Sequence, residues 1–299
     1  MNKKAIITLL VGDKYQKRWH ELCSENWMEY SQKNGCDLKI INNLMDVSSR
    51  GMDRSPAWQK LLLLDHPEIR QYEQIAYIDS DIFFNPNNSP NIFVGCPVDK
   101  VGAVNSFADP SIFENSEALT RMWARIRRHT GNLPTGFYTT STDIYKQYDE
   151  SMGDVSYMLN AGVLVASPMH HAEIWRYVYD HYEDKGNPSY FENVPLSYEL
   201  VKNNLVHWMN PKFNHLWAWS KELHYPFLLD WRNRSFKDKI LRRAAEFMGN
   251  NYEYRLSIAS TTSTLMNCYC LHFAGHADEM RFVDLNAAKE GIIKNIGIR

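Results

Sequence analysis

The sequence predicts an α/β fold in which a mainly parallel sheet carries helices on both faces. Apolar runs of strand length alternate with amphipathic segments of helix length through the first hundred residues, a pattern typical of sheets covered by helices. The chain has 299 residues, enough for one large domain. Because no repeat, low-complexity tract or Gly/Ser linker interrupts it, we predict a single domain with an elaborated C-terminal half.

The first half shows the clearest alternation. Apolar residues from Trp19 to Tyr30 recur at the spacing of one helical face, and Pro56 suits the first turn of a helix. We predict strands at 5–11, 37–41, 75–78 and 101–104, and helices at 15–33 and 56–64.

The second half is less regular. We predict strands at 159–166 and 205–209, helices at 170–182 and 195–202, and a last strand and loop in NCYCLHFAGH (267–276). Aromatic residues interleave with the arginines and lysines of a basic, helix-like stretch at 231–248. This stretch can be a helix face in solvent or a contact with an anionic membrane surface.

Composition excludes several classes of protein. A net charge of −2 provides no basic field to hold nucleic acid, and the chain has no motif of a nicotinamide enzyme, P-loop NTPase or zinc protease. The five cysteines are odd in number and irregularly spaced, so we expect reduced thiols in a cytosolic setting.

The apolar run at 5–11 is too short for a signal peptide and lacks a cleavage site, so it is a first strand. No apolar segment approaches the ~20 residues that span a bilayer. We therefore expect a cytoplasmic protein, peripheral on the membrane if 231–248 contacts it.

Two aspartates follow the predicted strand at 75–78, in the stretch YIDSDIF (77–83). Residues i and i+2 of a strand point to the same side with Cα atoms about 6.6 Å apart, so Asp79 and Asp81 can converge on one object. Two carboxylates this close repel unless a cation lies between them. Mg²⁺ and Mn²⁺ prefer such oxygen ligands and share them with phosphate. The pair also lies at the carboxyl end of a strand, where open α/β sheets bind ligands. The alternative is a turn in which the carboxylates only cap a helix.

Four motifs around this pair occur in an order that resembles GT-A-fold, nucleotide-sugar-dependent glycosyltransferases. They are SPAWQKLLLLDHPEIRQYEQIAYIDSDIFFNP (55–86), LNAGVLVASP (159–168), FENVPLSYELVKNN (191–204) and LHFAGH (271–276). The first is similar to that group's Trp-x-Lys helix with its Asp-x-Asp strand, and the second to its Asn-x-Gly strand. The third is similar to its Glu/Asp-Gln-x-x-Leu helix, and the fourth to its C-terminal His-Phe-x-Gly loop. The likeness is greatest to retaining members such as xyloglucan xylosyltransferases and fungal galactosyl- and mannosyltransferases. Glycogenin-like enzymes are further off.

The resemblance implies a metal-dependent transfer of a sugar from a nucleotide-sugar, here a UDP-sugar, to a glycan or other hydroxyl acceptor with retention of configuration. It divides the domain into a nucleotide-binding half (1–105) and a half that binds the acceptor and ends in a metal-ligand loop (106–299).

The resemblance also implies roles for individual residues. Asp79, Asp81 and His272 would hold the metal, Mn²⁺ or Mg²⁺. Arg54 and Lys60 would neutralise the leaving diphosphate, although a helix with Trp58 and Lys60 can equally be a packed helix with a solvated lysine. The donor site would comprise Gly12, Asp13, Tyr15, Arg54, Lys60, Asp79, Ser80, Asp81, Gly275 and His276.

Two residues would be catalytic by the same likeness. Glu192 would stabilise a positively charged sugar ring, and Asn160 would line the acceptor side. The residue after Glu192 is Asn193, where relatives have Gln, and Glu192 can equally be a loop carboxylate.

Two other functions fit part of the pattern. Phosphatases of the haloacid dehalogenase type carry Asp-x-Asp on their first strand, followed by Thr or Val, whereas here the pair is followed by Ile82 and Phe83. A non-catalytic glycan-binding or scaffold protein can share the GT-A fold. The presence of both aspartates together with His272 favours an active enzyme.

Overall fold

The computed structural model describes residues 3–106, 140–186, 191–229, 236–237, 240, 243–244 and 251–292. Most of the basic stretch 231–248 lies outside these residues, so its membrane contact stays a prediction. Within the described residues, no helix combines the length and the apolar character needed to cross a bilayer.

The strands form two sheets. A six-stranded sheet has the order β2-β1-β3-β6-β5-β7, and a three-stranded sheet has the order β4-β9-β8, where the strands are β1 (Lys4–Leu9), β2 (Asp37–Ile41), β3 (Gln74–Ile78), β4 (Ile82–Phe84), β5 (Val101–Asn105), β6 (Leu159–Ala166), β7 (Val206–Trp208), β8 (His215–Leu216) and β9 (Cys270–His272). In the large sheet β1 is parallel to β2 and β3, and β5 is parallel to β7. Strand β6 is antiparallel to its neighbours β3 and β5. The mainly parallel sheet is confirmed, whereas the reversed β6 was not predicted because an apolar run does not reveal strand direction.

Helices cover both faces of the large sheet. The α-helices are α1 (Asp13–Leu22), α2 (Ser24–Asn34), α3 (Ser49–Asp53), α4 (Ser141–Tyr148), α5 (Pro168–His181), α6 (Asn193–Lys202), α7 (Trp217–His224), α8 (Tyr252–Asn267) and α9 (Leu285–Glu290). The 3₁₀ segments are Pro56–Asp65, Pro211–Asn214, Pro226–Leu228 and Ala277–Phe282.

Two predicted helices differ in the structure. The predicted helix at 15–33 is divided at Cys23 into α1 and α2, and Trp27 of α2 donates its indole N–H to Ile82 O at 2.8 Å. The predicted helix at 56–64 is a 3₁₀ segment in which every side chain from Trp58 to Leu64 is buried. It therefore lacks the exposed face of a surface α-helix.

The large sheet has a hydrophobic core on each face, because side chains alternate along a strand. Ala76 and Ile78 of β3 pack with residues of α1, α2 and the small sheet. Ile75 and Tyr77 pack with residues of the segment Pro56–Asp65, α5 and α6.

The two sheets meet just after β3. Residues 79–81 connect β3 to β4 of the small sheet. Since β6 runs antiparallel to β3, the start of β6 lies at this same edge, and Asp79 N donates to Gly162 O at 2.8 Å. The predicted motifs therefore converge at one place.

Candidate metal and donor site

Asp79, Asp81 and His272 form one cluster. Their potential ligand atoms all lie within 4.8 Å of one another, so the three side chains can hold a metal ion. His272 Nε2 lies 3.3 Å from Asp81 Oδ1 and 3.9 Å from Asp79 Oδ2. The small sheet brings the histidine there, because β4 pairs with β9 so that Ile82 lies opposite His272. A contact across 191 positions of the chain thus follows from a short strand pair.

The imidazole of His272 is oriented by an amide. Its Nδ1 lies 2.8 Å from Asn214 Oδ1, an acceptor, so Nδ1 carries a proton and Nε2 is the ring atom that faces the aspartates. Asn214 in turn donates to Asn160 Oδ1 at 2.9 Å, and the same Asn160 oxygen accepts from Gly162 N at 3.0 Å. A proton on Nδ1 leaves Nε2 as the atom that would bind a metal.

The cluster is electrostatically coupled. Burial lowers the pKa of His272, but Asp81 and Asp79 outweigh it, so the pKa is raised above its usual range. Burial raises the pKa of Asp81, but the histidine outweighs it and holds that pKa low. A negatively charged site that attracts a proton is also one that attracts a divalent cation.

A second ionic group lies beside the cluster. Lys60 Nζ is 2.7 Å from Glu192 Oε1 and 3.4 Å from Asp79 Oδ1, and both Lys60 and Glu192 are buried. Burial disfavours the ammonium, yet Asp79 and Glu192 raise the pKa of Lys60 well above its usual range, so it stays charged. Lys60 is therefore a buried ion-pair partner and not the solvated lysine of the alternative interpretation.

The two oxygens of each carboxylate beside Lys60, those of Asp79 and Glu192, have different environments. Asp79 Oδ1 accepts from the Tyr77 hydroxyl at 2.7 Å as well as facing Lys60, which leaves Oδ2 toward His272. Glu192 Oε2 is buried and has no hydrogen-bond partner among the described residues. Asp79 thus joins the metal cluster to the Lys60–Glu192 pair.

In the structure Arg54 contacts neither the Asp79–Asp81–His272 cluster nor the Lys60–Glu192 pair. Its guanidinium donates to Tyr179 O at 2.6 Å and Glu183 Oε2 at 3.0 Å. It also stacks near the rings of Trp58 and Tyr179, 4.6 and 4.8 Å from their centroids. Arg54 therefore ties the segment Pro56–Asp65 to the end of α5, and its contact with the donor stays a prediction.

A cavity of about 200 Å³ opens in front of the aspartates. Of the predicted donor residues, Tyr15, Asp79, Ser80 and Asp81 line it, while Gly12 and Asp13 begin helix α1 beside it. Its full lining is Leu9, Tyr15, Arg18, Tyr77, Asp79, Ser80, Asp81 and Ala277. The cavity therefore lies between α1, the end of β3 and the C-terminal segment.

The loop after β9 turns at Gly275, whose φ of +70° favours glycine. The next residue, His276, contacts Glu279 Oε1 through Nδ1 at 3.2 Å. Glu279 also accepts from Lys221 Nζ and from the Trp217 indole. This network anchors the loop to α7.

Solved structures match this fold, whereas no family model and no curated protein matches the sequence. The apo structure of the bifunctional glycosyltransferase WbbM superposes with a TM-score of 0.53 at 11% identity, over 97% of this chain and 51% of that one. This chain has a GT-A glycosyltransferase fold. It spans about half of WbbM, and at this identity the likeness concerns the fold.

Two further matches have lower scores. A glycosyltransferase involved in the glycosylation of the major capsid of PBCV-1 superposes with a TM-score of 0.49 at 14% identity, over 94% of this chain and 99% of that one. The galactosyltransferase LgtC, in complex with donor and acceptor sugar analogues, superposes with a TM-score of 0.45 at 14% identity, over 96% of this chain and 95% of that one. The match to WbbM confirms the predicted fold class.

Sequence reasoning missed three residues of the site. Asn214 orients His272 but lies in no recognisable motif. Tyr77 was visible only as part of a strand. Arg18 could have been found, because it lies three residues after Tyr15 and so shares its face of α1.

Proposed function

We propose that the protein is a metal-dependent glycosyltransferase that moves a sugar from a nucleotide-sugar to a hydroxyl acceptor. The observation that supports it best is the convergence of Asp79, Asp81 and His272 beside a cavity, on a fold that glycosyltransferases share. A divalent ion bound there would supply Lewis-acid stabilisation to a departing diphosphate. Carboxylates with an imidazole suit Mn²⁺, and the resemblance favours a UDP-sugar and a glycan acceptor.

In this proposal the cavity binds the nucleotide end of the donor. Tyr15 offers an exposed ring at its mouth for the base, and Ser80 offers a polar contact between the two aspartates. Gly275 allows the C-terminal loop to turn beside the diphosphate, and His276 is held there by Glu279.

Glu192 is the group that we assign to the sugar. Transfer with retention needs a group that stabilises positive charge on the ring. Burial raises the pKa of Glu192, Lys60 opposes that rise through its ion pair with Oε1, and Oε2 has no hydrogen-bond partner among the described residues, so we assign Oε2 to that charge. Asn160 acts through Asn214 on His272, so we assign it to positioning and no longer to the acceptor.

The proposal is tested by hydrolysis of a panel of nucleotide-sugars in the presence of Mn²⁺. We expect slow hydrolysis of one donor, its loss on chelation, and a loss of at least about 100-fold in Asp81→Asn. Asp154→Asn is the matched control, because Asp154 is an exposed aspartate paired with Lys146 outside the site. Its hydrolysis rate should equal that of the wild type.

Binding distinguishes this function from its alternative. Calorimetry should show that a nucleoside diphosphate binds only with the metal present. Binding of glycans without any metal-dependent binding of nucleotide would instead indicate a glycan-binding protein and contradict the proposal.

A further inference from the structure

One cation faces the cavity within the described part of the chain, and it is Arg18. Helix α1 presents Tyr15 and Arg18 three residues apart on one face, toward Asp79 and Asp81. The Arg18 side chain is only 16% exposed, so it lies against the protein. Lys60, the other cation near the aspartates, is buried under Glu192 and Asp79 and does not line the cavity.

The guanidinium of Arg18 has donors to spare. Its Nη2 donates to Asp278 Oδ1 at 2.7 Å, and the structure shows no other hydrogen-bond acceptor for Arg18 among the described residues. Asp278 itself is 80% exposed and lies in the segment Ala277–Phe282, whose first residue also lines the cavity. One carboxylate oxygen therefore holds one nitrogen, while a guanidinium offers five N–H groups in a planar fork.

A diphosphate bound in the cavity would need a further cation to offset its negative charge. A divalent ion would offset Asp79 and Asp81, but the diphosphate adds about two further negative charges in a nucleotide-sugar and up to about three in a nucleoside diphosphate. Lys60 is already shared by two carboxylates. A fork of N–H donors matches a pair of phosphate oxygens better than a point charge does.

We propose that Arg18 binds the diphosphate of a nucleoside diphosphate, through N–H groups that Asp278 leaves unused. This inference rests on the proposed function and adds to it a donor-binding residue that none of the four sequence motifs contains. Asp278 approaches the guanidinium from the C-terminal segment and is not required for the contact with phosphate. The competing explanation is that the pair only fastens α1 to that segment.

Calorimetry with MnCl₂ and each of UDP, GDP and ADP separates these explanations. We expect Arg18→Gln to weaken the preferred nucleoside diphosphate by roughly 10- to 100-fold, the usual effect of a hydrogen bond to a charged group. Binding of the matching nucleoside, followed by ligand-observed NMR, should not change. Arg18→Lys should recover part of the loss because it keeps the charge without the fork.

Two control variants complete the design. Lys17→Gln removes a charge from the same helix on its exposed side, where Lys17 is 77% exposed, and should leave nucleotide affinity unchanged. Asp278→Asn breaks the ion pair with Arg18 and should leave the affinity unchanged or raise it, because it removes a negative charge near the phosphates.

The outcomes are distinguishable. Wild-type affinity in Arg18→Gln would overturn the inference while leaving the proposed function in place. An equal loss in Asp278→Asn would also overturn it, since the ion pair would then act as a fastening. If the wild type binds none of the three diphosphates with Mn²⁺, the proposed function itself is wrong and the inference falls with it.

Discussion

Gly162 lies directly against the imidazole of His272. A Cβ atom on residue 162 would be 2.4 Å from Cε1 and 2.8 Å from Nδ1 of the histidine, and 3.1 Å from Asn160 Oδ1. Real Cβ atoms do not approach so closely, so β6 can pass the histidine only at a glycine. The glycine of the Asn160-Ala161-Gly162 motif thus sets how closely the predicted metal ligand packs on the sheet.

Gly162→Ala should therefore displace the His272 ring. We expect Mn²⁺ affinity, measured by calorimetry, to fall at least about tenfold, and the free energy of unfolding to fall by about 1–3 kcal/mol from overpacking. Gly153→Ala is the control, because a Cβ there would meet its nearest neighbour at 3.6 Å, an ordinary contact. Wild-type metal affinity in the Gly162 variant would show that this contact does not position the ring.

Asn214 is expected to support metal binding without touching the metal. Asn214→Ala leaves His272 Nδ1 without its acceptor, so we expect Mn²⁺ affinity to fall roughly 10- to 100-fold. Asn214→Asp keeps an acceptor oxygen and should retain most of the affinity. Asn267→Ala is the control, since that amide contacts only the preceding turn of its own helix at the surface. Equal losses in the Ala and Asp variants would refute an orienting role.

The Lys60–Glu192 pair should behave as a buried ion pair. Lys60→Met leaves Glu192 with an unpaired buried charge, and we expect a loss of about 3–5 kcal/mol in the free energy of unfolding. The double variant Lys60→Met with Glu192→Gln should lose less than the sum of its single variants. Lys146→Met breaks an exposed pair, with side chains 50% and 79% exposed, and should cost under about 1 kcal/mol. Additive losses in urea unfolding would contradict the pairing.

Motif spacing predicted the parts of the site that lie close in sequence or at strand ends. Asp79 and Asp81 are two residues apart, and their convergence was predicted from strand geometry, although the structure places both in the turn that connects β3 to β4. The approach of His272 to them depends on the β4–β9 pair, which the sequence suggested only through resemblance.

The rest depends on contacts that no local pattern contains. Asn214 reaches His272 across 58 positions, from a 3₁₀ segment that carries no motif. The contacts of Arg54 could not be predicted, because its charge is visible in the sequence, whereas the carbonyl groups at the end of α5 that bind it are not. Burial of Lys60 was likewise hidden, because a lysine beside a tryptophan is usually solvated.

Glu279 should contribute stability that depends on pH. Burial raises the pKa of its carboxyl, but the donors His276, Lys221 and Trp217 outweigh it and lower the pKa from 4.5 to about 2. Because the folded-state pKa is the lower one, this stability is present above about pH 4.5 and is lost as pH falls toward 2. We expect Glu279→Gln to lower the free energy of unfolding at pH 7 by about 2 kcal/mol.

The same variant should flatten the acid limb of the stability curve. Between pH 4.5 and 2, Glu279→Gln should lose less stability than the wild type, because the titrating group is gone. Glu21→Gln, at a side chain that is 60% exposed, should follow the wild-type curve. An unchanged acid slope in the Glu279 variant would mean that its carboxylate is not held by this network.

Glu192→Gln tests the assignment of the catalytic carboxylate. If Glu192 acts on positive charge that the sugar carries only in the transition state, the substitution should lower turnover on the order of 10²-fold. Donor affinity should barely change, because the ground-state sugar carries no such charge. Lys60 retains Asp79 as a partner at 3.4 Å in this variant, so the fold should persist, which thermal unfolding checks. If turnover is unchanged and only the acceptor Michaelis constant rises, Glu192 binds the acceptor. The catalytic group must then be sought among the other carboxylates, beginning with Asp143.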